Sequence, residues 1–462
     1  MSVYANFLGK LKIFAMSNIG NKLATLILIP MYSHVLPLDV YGEMEIYLTV
    51  IMLLMPIITA SLYEAVQKFC IDDPSMKSDI LSSALFPFLM MSFVIGLFVL
   101  GAYFVLWESQ KLILIFLILI SIAVYEFFTK FANGTGREIS FAVSNILVAF
   151  VILGLNVYLV YILEKGIIGI LQAQFVAYAV GILYLFVSLR LDRKLSLSKV
   201  SPSTLRKMLL LSSPLILNAA MWWIFEVSDR WVILYFEGSR EVGLYSIACK
   251  LAVVLLMLHT IVFQTWQISA IENRNHENRS MFYSTIFKMY FLLIVVCTSF
   301  LILINKVLLG AALTEEYAEA WRVGNLILLS TSFFCLASFL GVFYVAYSKT
   351  KIALLSSTAC AILNIALNFM LIPEYGAYGA ALSTIASTLC LFLFRLFNTQ
   401  KLVTYQADKL VICGCFILLV MQTFLADNNF YLPQFMITAS LTLFLIFKIR
   451  NNYHSLNDVH EK

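Results

Sequence analysis

The chain has 462 residues, of which 61% are hydrophobic and only 12% are charged, and its formal net charge is +5. A soluble protein of this size needs a charged surface, so the composition excludes a soluble globular class. It indicates an integral membrane protein whose long apolar runs cross the bilayer as helices. We find no soluble domain, no nucleic-acid-binding patch and no cleavable signal peptide, because the first apolar run contains Asn18, Asn21 and Lys22.

In chain order, the hydrophobic pattern predicts fourteen spans joined by short connections. We place them at 12–33, 42–65, 80–106, 111–130, 140–163, 167–189, 208–236, 243–268, 282–305, 323–347, 352–372, 377–398, 408–425 and 431–448. An even number of spans puts both termini on one side of the membrane. The outer loops would hold only five basic residues, namely Lys111, Lys165, Arg240, Lys306 and Arg322. This bias predicts cytoplasmic N- and C-termini in a bacterial inner-membrane protein.

The two halves of the chain resemble each other. "LPLDVYGEMEIY" after the first span matches "EGSREVGLYSIA" after the seventh, and "LNVYLVYILEKGIIG" matches "LNFMLIPEYGAYG". Each half has an even number of spans, so both halves insert with the same orientation. The predicted fold is an all-α polytopic membrane protein with two six-helix bundles in a parallel pseudo-twofold repeat and a cavity between them. The predicted parts are a bundle at 1–189, a basic cytoplasmic linker at 190–207, a bundle at 208–399, and a helix pair with a cytoplasmic tail at 400–462.

Polar residues in the first span share one helical face. Asn18, Asn21 and Lys22 are spaced by one helical turn, and a lysine near mid-span is expected to face a water-filled cavity. Two alternatives stay open for Lys22. It attracts an anionic cargo, or it pairs with a carboxylate such as Glu126 or Glu226.

The seventh and eighth spans repeat this arrangement. Asn218, Glu226 and Asp229 form a stripe, and Arg230 follows Glu226 by four residues, which suits an intrahelical ion pair. Arg230 is therefore either an anion-binding residue of the cavity or half of a structural brace. Lys250 either lines the cavity or extends to the outer interface.

Five residues are candidates for coupling to a proton or sodium gradient, namely Glu226, Asp229, Glu126, Glu64 and His259. The alternative for His259 is a core histidine held by a nearby carbonyl or serine. The sequence predicts no catalytic residue, no metal ligand set and no cofactor, and the eight cysteines lack metal or redox spacing. Small residues at every fourth position from Gly376 predict close helix packing in the twelfth span, and Asn364 and Asn368 predict interhelical hydrogen bonds.

Three stretches carry a resemblance to a known family. They are "ATLILIPMYSHVLPLDVYGEMEIY", "SDRWVILYFEGSREVGLYSIACKL" and "NIALNFMLIPEYGAYGAALSTIAS". The sequence resembles the Wzx-type polysaccharide (O-antigen) flippases of the multidrug/oligosaccharidyl-lipid/polysaccharide exporter superfamily. The resemblance implies export of an undecaprenyl-diphosphate-linked oligosaccharide, an O-antigen or capsular or exopolysaccharide repeat unit, from the cytoplasmic to the outer leaflet. It implies alternating access through a cationic cavity, with membrane lipids, a polysaccharide polymerase and a chain-length regulator as further partners.

Three other functions compete with this hypothesis. An ion-coupled multidrug exporter of the same superfamily relies on carboxylates in its N-terminal half, whereas the first span here has Lys22 and no acidic residue. A lipid II flippase would begin its first span with glycine and arginine, which "KIFAMSNIGNKLATL" lacks. A membrane enzyme such as a polymerase needs large outer loops with a catalytic cluster, and none is evident.

Overall fold

A computed structural model describes the backbone of residues 27–106, 110–428 and 430–460, and every regular element within these ranges is helical. The prediction of an all-α membrane protein is confirmed. Residues 27–35 are helical and are called α1. The helices that follow are α2 (Leu38–Ile58), α3 (Leu62–Asp72), α4 (Lys77–Leu106), α5 (Gln110–Gly134), α6 (Glu138–Asn156), α7 (Gly166–Ser188), α8 (Pro202–Glu237), α9 (Ser239–Glu272), α10 (Arg279–Ala312), α11 (Glu315–Ala318), α12 (Ala320–Ala346), α13 (Thr350–Gln400), α14 (Lys409–Asp427) and α15 (Tyr431–His460).

Within the described ranges, eleven helices are long and apolar enough to cross a membrane, or twelve if the bent pair within α8 counts as one span. The chain is therefore a multi-pass membrane protein. The prediction of fourteen spans differs from this number for two reasons. Most of the first predicted span lies outside the described residues, and the eleventh and twelfth predicted spans both fall in α13. The total of fourteen stays a prediction.

The single element α13 is a helical hairpin. The backbone leaves helical geometry at Gly376, with φ 53° and ψ −132°. Cys360 donates to the carbonyl of Ser387 across 27 positions, a separation that would be about 40 Å along a straight helix. The two arms of α13, residues 350–375 and 377–400, therefore run side by side. This matches the separate predicted spans at 352–372 and 377–398.

The second predicted span, at 42–65, is interrupted. Helix α2 ends at Ile58, and α3 begins only at Leu62. Between them, Ala60 and Ser61 adopt left-handed conformations with φ near 50°. Such geometry is unfavourable for residues with a Cβ, and hydropathy alone carries no signal for it.

The chain divides into two compact units, one containing the described residues up to Ser228 and the other beginning at Asp229. The predicted domain boundaries and the internal repeat stay predictions. The first unit packs around fully buried apolar residues such as Val66, Phe127 and Leu171. In the second unit, the ring of Phe339 on α12 stacks between Trp266 and Tyr290, with centroid distances of 4.4 and 4.6 Å.

The last two helices are attached to the second unit by polar contacts. Gln422 on α14 is fully buried and accepts a 2.6 Å hydrogen bond from the Ser299 hydroxyl on α10. Its amide donates to the Ser299 carbonyl at 2.9 Å and to the Thr438 hydroxyl on α15 at 3.2 Å. Buried hydrogen bonds of this kind hold helices together where hydrophobic contrast with lipid is absent.

Candidate functional site

The centre of the candidate site is the carboxylate of Asp229 on α8, which is 5% exposed. It accepts hydrogen bonds from the Tyr245 hydroxyl at 2.6 Å, the Asn368 amide at 2.6 Å and the Thr384 hydroxyl at 3.2 Å. The donors belong to α9 and to both arms of α13. A buried carboxylate is tolerated only where donors replace its lost hydration, and here three neutral groups do so.

Two asparagines of the first α13 arm extend this network. Asn368 also donates to the side-chain oxygen of Asn364 at 3.2 Å, and Asn364 donates to the Thr384 hydroxyl at 3.4 Å. These contacts agree with the predicted interhelical hydrogen bonding. The Oδ1 atom of Asn368 is buried and has no hydrogen-bond partner among the described residues. An unsatisfied buried acceptor beside a carboxylate is costly, so a bound cation or a proton would stabilise the cluster.

The cluster has the chemistry of a site for a hard cation. Carboxylate, amide and hydroxyl oxygens from Asp229, Asn364, Asn368 and Thr384 are the ligands that Na⁺ and similar ions prefer. Within the described residues, no group of three or more His, Cys, Asp or Glu side chains could hold a metal ion. A single carboxylate among neutral oxygens suits a monovalent cation, or a proton on Asp229 itself, better than a transition metal.

Arg230 follows Asp229 but makes a different contact. Its Nε donates to the Ser246 hydroxyl on α9 at 2.9 Å, and its side chain is half-buried. Lys250 is also half-buried and lies one helical turn after Ser246, so both residues share one face of α9. The structure thus places two of the predicted cavity cations near the same part of α9. Glu226, a predicted partner of Arg230, is exposed on α8.

Two other predicted carboxylates meet in the first unit. The Lys130 ammonium lies 2.7 Å from the Glu64 carboxylate, joining α5 to α3. Glu126, one helical turn before Lys130, accepts a 3.4 Å hydrogen bond from the Thr129 hydroxyl and lies in the electrostatic environment of both Glu64 and Lys130. The two glutamates were predicted separately from the sequence, and Lys130 was not among the predicted residues. The four-residue spacing of Glu126 and Lys130 was the available signal.

His259 is a buried residue of α9. Its Nδ1 lies 2.5 Å from the Tyr290 hydroxyl, and the rings of Phe263 and Phe334 lie beside it. The expected partner, a carbonyl or a serine, is therefore replaced by a tyrosine. This contact supports the structural alternative for His259, and the coupling role stays a prediction.

Four predicted site residues lie wholly or partly outside the described part of the chain. Asn18, Asn21 and Lys22 lie outside the described residues. The backbone of Asn218 belongs to α8, but its side chain is also outside the described part of the chain. The predicted substrate-binding role of these residues stays a prediction.

A buried arginine in the second α13 arm was not predicted from the sequence. Arg395 is 6% exposed and donates to the Ser357 hydroxyl at 2.7 Å, the Ala337 carbonyl at 3.0 Å and the Ser356 hydroxyl at 3.2 Å. Within the described chain, no carboxylate lies within ion-pair distance of it. The lone arginine in "LCLFLFRLFN" was the signal, because a charge in an apolar run must find polar partners. Its contacts brace α12 against both α13 arms.

Comparisons with known proteins agree with this architecture. A family described as polysaccharide biosynthesis protein matches residues 8–268, more than half of the chain. The chain is similar to the structure of the lipid II flippase MurJ in its inward closed conformation, with a TM-score of 0.68 and 14% sequence identity. The match covers 96% of this chain and 99% of the MurJ chain. It is also similar to the inward-facing structure of a multidrug resistance MATE family transporter of the MOP superfamily, with a TM-score of 0.62 and 13% sequence identity. This match covers 87% of this chain and 96% of the transporter chain. No curated protein sequence matches the chain significantly.

At such low identities the structural matches establish the fold, whereas the family match establishes the relationship. The resemblance found in the sequence is thereby confirmed. The chain belongs to the polysaccharide biosynthesis protein family, and it has the fold of the MurJ and MATE structures.

Proposed function

We propose that this protein is a flippase that moves an undecaprenyl-diphosphate-linked oligosaccharide from the cytoplasmic to the outer leaflet of a bacterial inner membrane. The observation that carries the proposal is the family match over residues 8–268. A transporter in polysaccharide biosynthesis requires a cargo with both sugars and a lipid anchor, because sugars are assembled on the inner face and polymerised outside. The cargo is an O-antigen or a capsular or exopolysaccharide repeat unit, and both termini of the protein are cytoplasmic.

The cargo is a diphosphate, so its recognition calls for cations. Arg230 and Lys250 are half-buried in a largely apolar region. Lys22, which lies outside the described residues, is a third cation that the sequence predicts near the middle of a span. Arginine offers a planar fork that fits phosphate oxygens, while lysine supplies a point charge. We include Asn18, Asn21 and Asn218 as polar residues that bind sugar hydroxyls. Replacing Lys22 or Arg230 with alanine should therefore weaken transport without abolishing expression.

The drive comes from an ion gradient, and we assign the coupling site to Asp229. This carboxylate is buried, connects three helical segments, and stands beside the orphaned Oδ1 of Asn368. Binding of a sodium ion or a proton would change the packing of α8 against both α13 arms, since the same oxygens hold them together. Glu64 and Glu126, which share Lys130, form a second candidate for coupling in the other unit.

A second function is favoured by one observation, the match to the lipid II flippase MurJ over almost the whole chain. Lipid II is itself an undecaprenyl-diphosphate-linked saccharide, so the chemistry of a cation-lined site suits it as well. A multidrug exporter is the third candidate, because MATE transporters share the fold. The positive charges of Arg230 and Lys250 would repel the cationic drugs that such an exporter carries.

One experiment separates these functions. The gene is deleted from its host, and the surface polysaccharide, lipid II and drug sensitivity are measured together. The proposal predicts loss of surface polysaccharide with accumulation of its lipid-linked repeat unit in the inner leaflet, restored by the wild-type gene. Accumulation of lipid II would indicate the peptidoglycan precursor as cargo, and altered drug sensitivity with intact polysaccharide would indicate a drug exporter.

A further inference from the structure

The basic segment 190–207 is folded against the helices of the first unit. The Ser196 amide donates to the Ser82 hydroxyl on α4 at 3.3 Å, and the Ser201 amide donates to the Ser83 hydroxyl at 2.8 Å. Leu191 is fully buried in the core of this unit. Because these contacts fix the segment at several points, the backbone that carries its charged side chains holds a defined position on this unit.

Three basic residues, Lys77, Arg137 and Lys194, belong to separate segments of this unit that pack around the end of α5. The Lys194 ammonium lies 5.2 Å from the centre of the Phe131 ring, near the end of α5. The Arg137 amide donates to the Ala132 carbonyl at 2.8 Å, which holds Arg137 at the end of α5. Arg137 is also the residue directly before α6. The end of α5 also packs closely on α3, as the position of Gly134 shows: a Cβ added there would lie 2.7 Å from the Gln67 carbonyl. The chain continues from α3 to Lys77.

These cations lack acidic partners. Within the described residues, no carboxylate lies within ion-pair distance of Lys77, Arg137 or Lys194. The nearby Asp73 accepts instead from the Ser75 amide at 3.1 Å, and Asp192 lies 3.8 Å from Arg193. Burial, together with the positive charges of Arg137 and Lys77, lowers the pKa of Lys194 below its usual value. The three charges thus repel one another, and an anion between them would remove that repulsion.

Two helix N-termini add to the positive potential. Lys77 is the first residue of α4, and Arg137 immediately precedes α6. Both helices are long, and their dipoles favour negative charge at these ends, where each first turn holds one acidic residue, Asp79 in α4 and Glu138 in α6. Leu197, on the same docked segment, is 71% exposed. This exposed apolar side chain therefore lies on the same segment as Lys194.

We propose that Lys77, Arg137 and Lys194 form a binding site for the phosphate of a lipid headgroup. The phosphate could belong to an anionic phospholipid or to the undecaprenyl diphosphate of the cargo, and only the second source rests on the proposed function. In that case the site is an entry point at which the diphosphate is held on the inner face before transport. If the phosphate belongs to an anionic phospholipid, the site fixes the first unit in the leaflet.

The test measures lipid binding to the purified full-length protein by native mass spectrometry. Delipidated protein is titrated separately with phosphatidylglycerol, with undecaprenyl diphosphate and with uncharged diacylglycerol. The variant combines Lys77→Gln, Arg137→Gln and Lys194→Gln. The matched control combines Lys199→Gln, Arg206→Gln and Lys207→Gln, which removes the same charge from the same region.

We expect the variant to weaken binding of a phosphate-bearing lipid about tenfold or more, and the control to weaken it less than about twofold. Loss for both phosphate lipids identifies a general headgroup site, and loss for undecaprenyl diphosphate alone identifies a cargo site. Equal losses in variant and control, or no loss in either, overturn the proposal. Because binding is measured without transport, failure of the flippase hypothesis leaves the phosphatidylglycerol result intact.

A single substitution covers the case in which the triple variant does not fold. Lys194→Met keeps an unbranched side chain over the Phe131 ring and removes only the charge. It should weaken phosphate-lipid binding about threefold or more with an unchanged elution profile in size-exclusion chromatography. Unchanged binding by this monodisperse variant contradicts the proposal.

Discussion

Asn368 donates a 2.6 Å hydrogen bond to the Asp229 carboxylate across 139 positions of the chain. The bond ties α8 to the first arm of α13, while Thr384 on the second arm contacts the same carboxylate. The charge state of Asp229 therefore acts on the packing of three helical segments at once. This relationship makes Asp229, more than the exposed Glu226, the residue through which an ion gradient could drive a conformational change.

The first prediction concerns the cation dependence of Asp229. Asp229→Asn removes the charge but keeps the size of the side chain, so a cation or proton would lose its main ligand. We expect the melting temperature of the wild-type protein to depend on sodium or on pH, because a ligand that binds only the folded state stabilises it. The variant should lose that dependence. Glu237→Gln, an exposed change at the end of the same helix, is the control.

The measurement compares melting temperatures in sodium chloride and choline chloride, and between pH 6 and pH 8. A proton on Asp229 would stabilise the folded state towards low pH, whereas sodium would act at constant pH. If the Asp229→Asn protein responds to sodium and pH as the wild type does, the coupling site lies elsewhere.

The second prediction concerns the buried Arg395. A Cβ added at Gly341 would lie 2.7 Å from Nη1 of Arg395, so Gly341→Ala must displace the guanidinium from its acceptors. We expect a loss of about 1–3 kcal/mol in the free energy of unfolding, the usual cost of overpacking. Gly414→Ala is the matched control, because a Cβ there meets no atom within 4 Å. Equal stability of the two variants in detergent unfolding would refute the role given to Arg395.

The third prediction concerns the turn of the α13 hairpin. Gly376 has φ 53° and ψ −132°, a conformation that is almost restricted to glycine. Gly376→Ala should reduce the free energy of unfolding by about 1–3 kcal/mol. Gly310→Ala, in an open position of helix α10, should be neutral or stabilising. A hairpin that tolerates alanine at 376 without loss of stability would mean that the two arms do not need this turn.

The fourth prediction concerns the attachment of the last two helices. Gln422→Leu removes the hydrogen bonds to Ser299 and Thr438 and leaves the Ser299 carbonyl without this donor. We expect destabilisation by about 1–2 kcal/mol, since interhelical hydrogen bonds in membranes are individually modest. Thr423→Val, at the adjacent half-buried position, is the control because its hydroxyl bonds within its own helix. Equal thermal stabilities of the two variants would show that apolar packing alone holds these helices.

The fifth prediction concerns the shared lysine of the first unit. Lys130→Met leaves Glu64 and Glu126 as neighbouring carboxylates without their common cation. Both partners of the Lys130–Glu64 pair are partly exposed, so solvent screens it, and we expect a coupling energy of about 0.5–1 kcal/mol. A double-mutant cycle with Glu64→Gln measures it, and the value should fall at high salt. A coupling energy of zero at low salt would show that the Lys130–Glu64 ion pair does not contribute to stability.

Much of the fold could be predicted from the sequence, because long apolar runs have few alternatives in a membrane. The eleventh and twelfth predicted spans coincide with the arms of the α13 hairpin, since the apolar pattern is interrupted near Gly376, where the backbone leaves helical geometry. The break at Ala60 and Ser61 could not be foreseen. Neither residue favours a left-handed conformation, so tertiary packing imposes this backbone.

The candidate site was predictable in its residue types but not in its pairing. The sequence singled out Asp229 because a carboxylate in an apolar run needs partners, and it separately assigned hydrogen bonding to Asn364 and Asn368. Only the folded chain shows that these are one network, since the pairing depends on how the two α13 arms pack beside α8. Arg395 and Lys130 were missed because each stood near a predicted span end, where a basic residue usually reaches water.

The flippase proposal is tested most directly by measuring translocation with purified protein in liposomes. A labelled undecaprenyl-diphosphate oligosaccharide from the host is incorporated, and a membrane-impermeant glycosidase reports how much of it reaches the opposite leaflet. We predict protein-dependent translocation that responds to an imposed proton or sodium gradient and is reduced in Lys22→Ala and Arg230→Ala proteins. No translocation under any imposed gradient, from protein that moves cationic dyes under the same conditions, would contradict the proposed function and indicate a drug exporter.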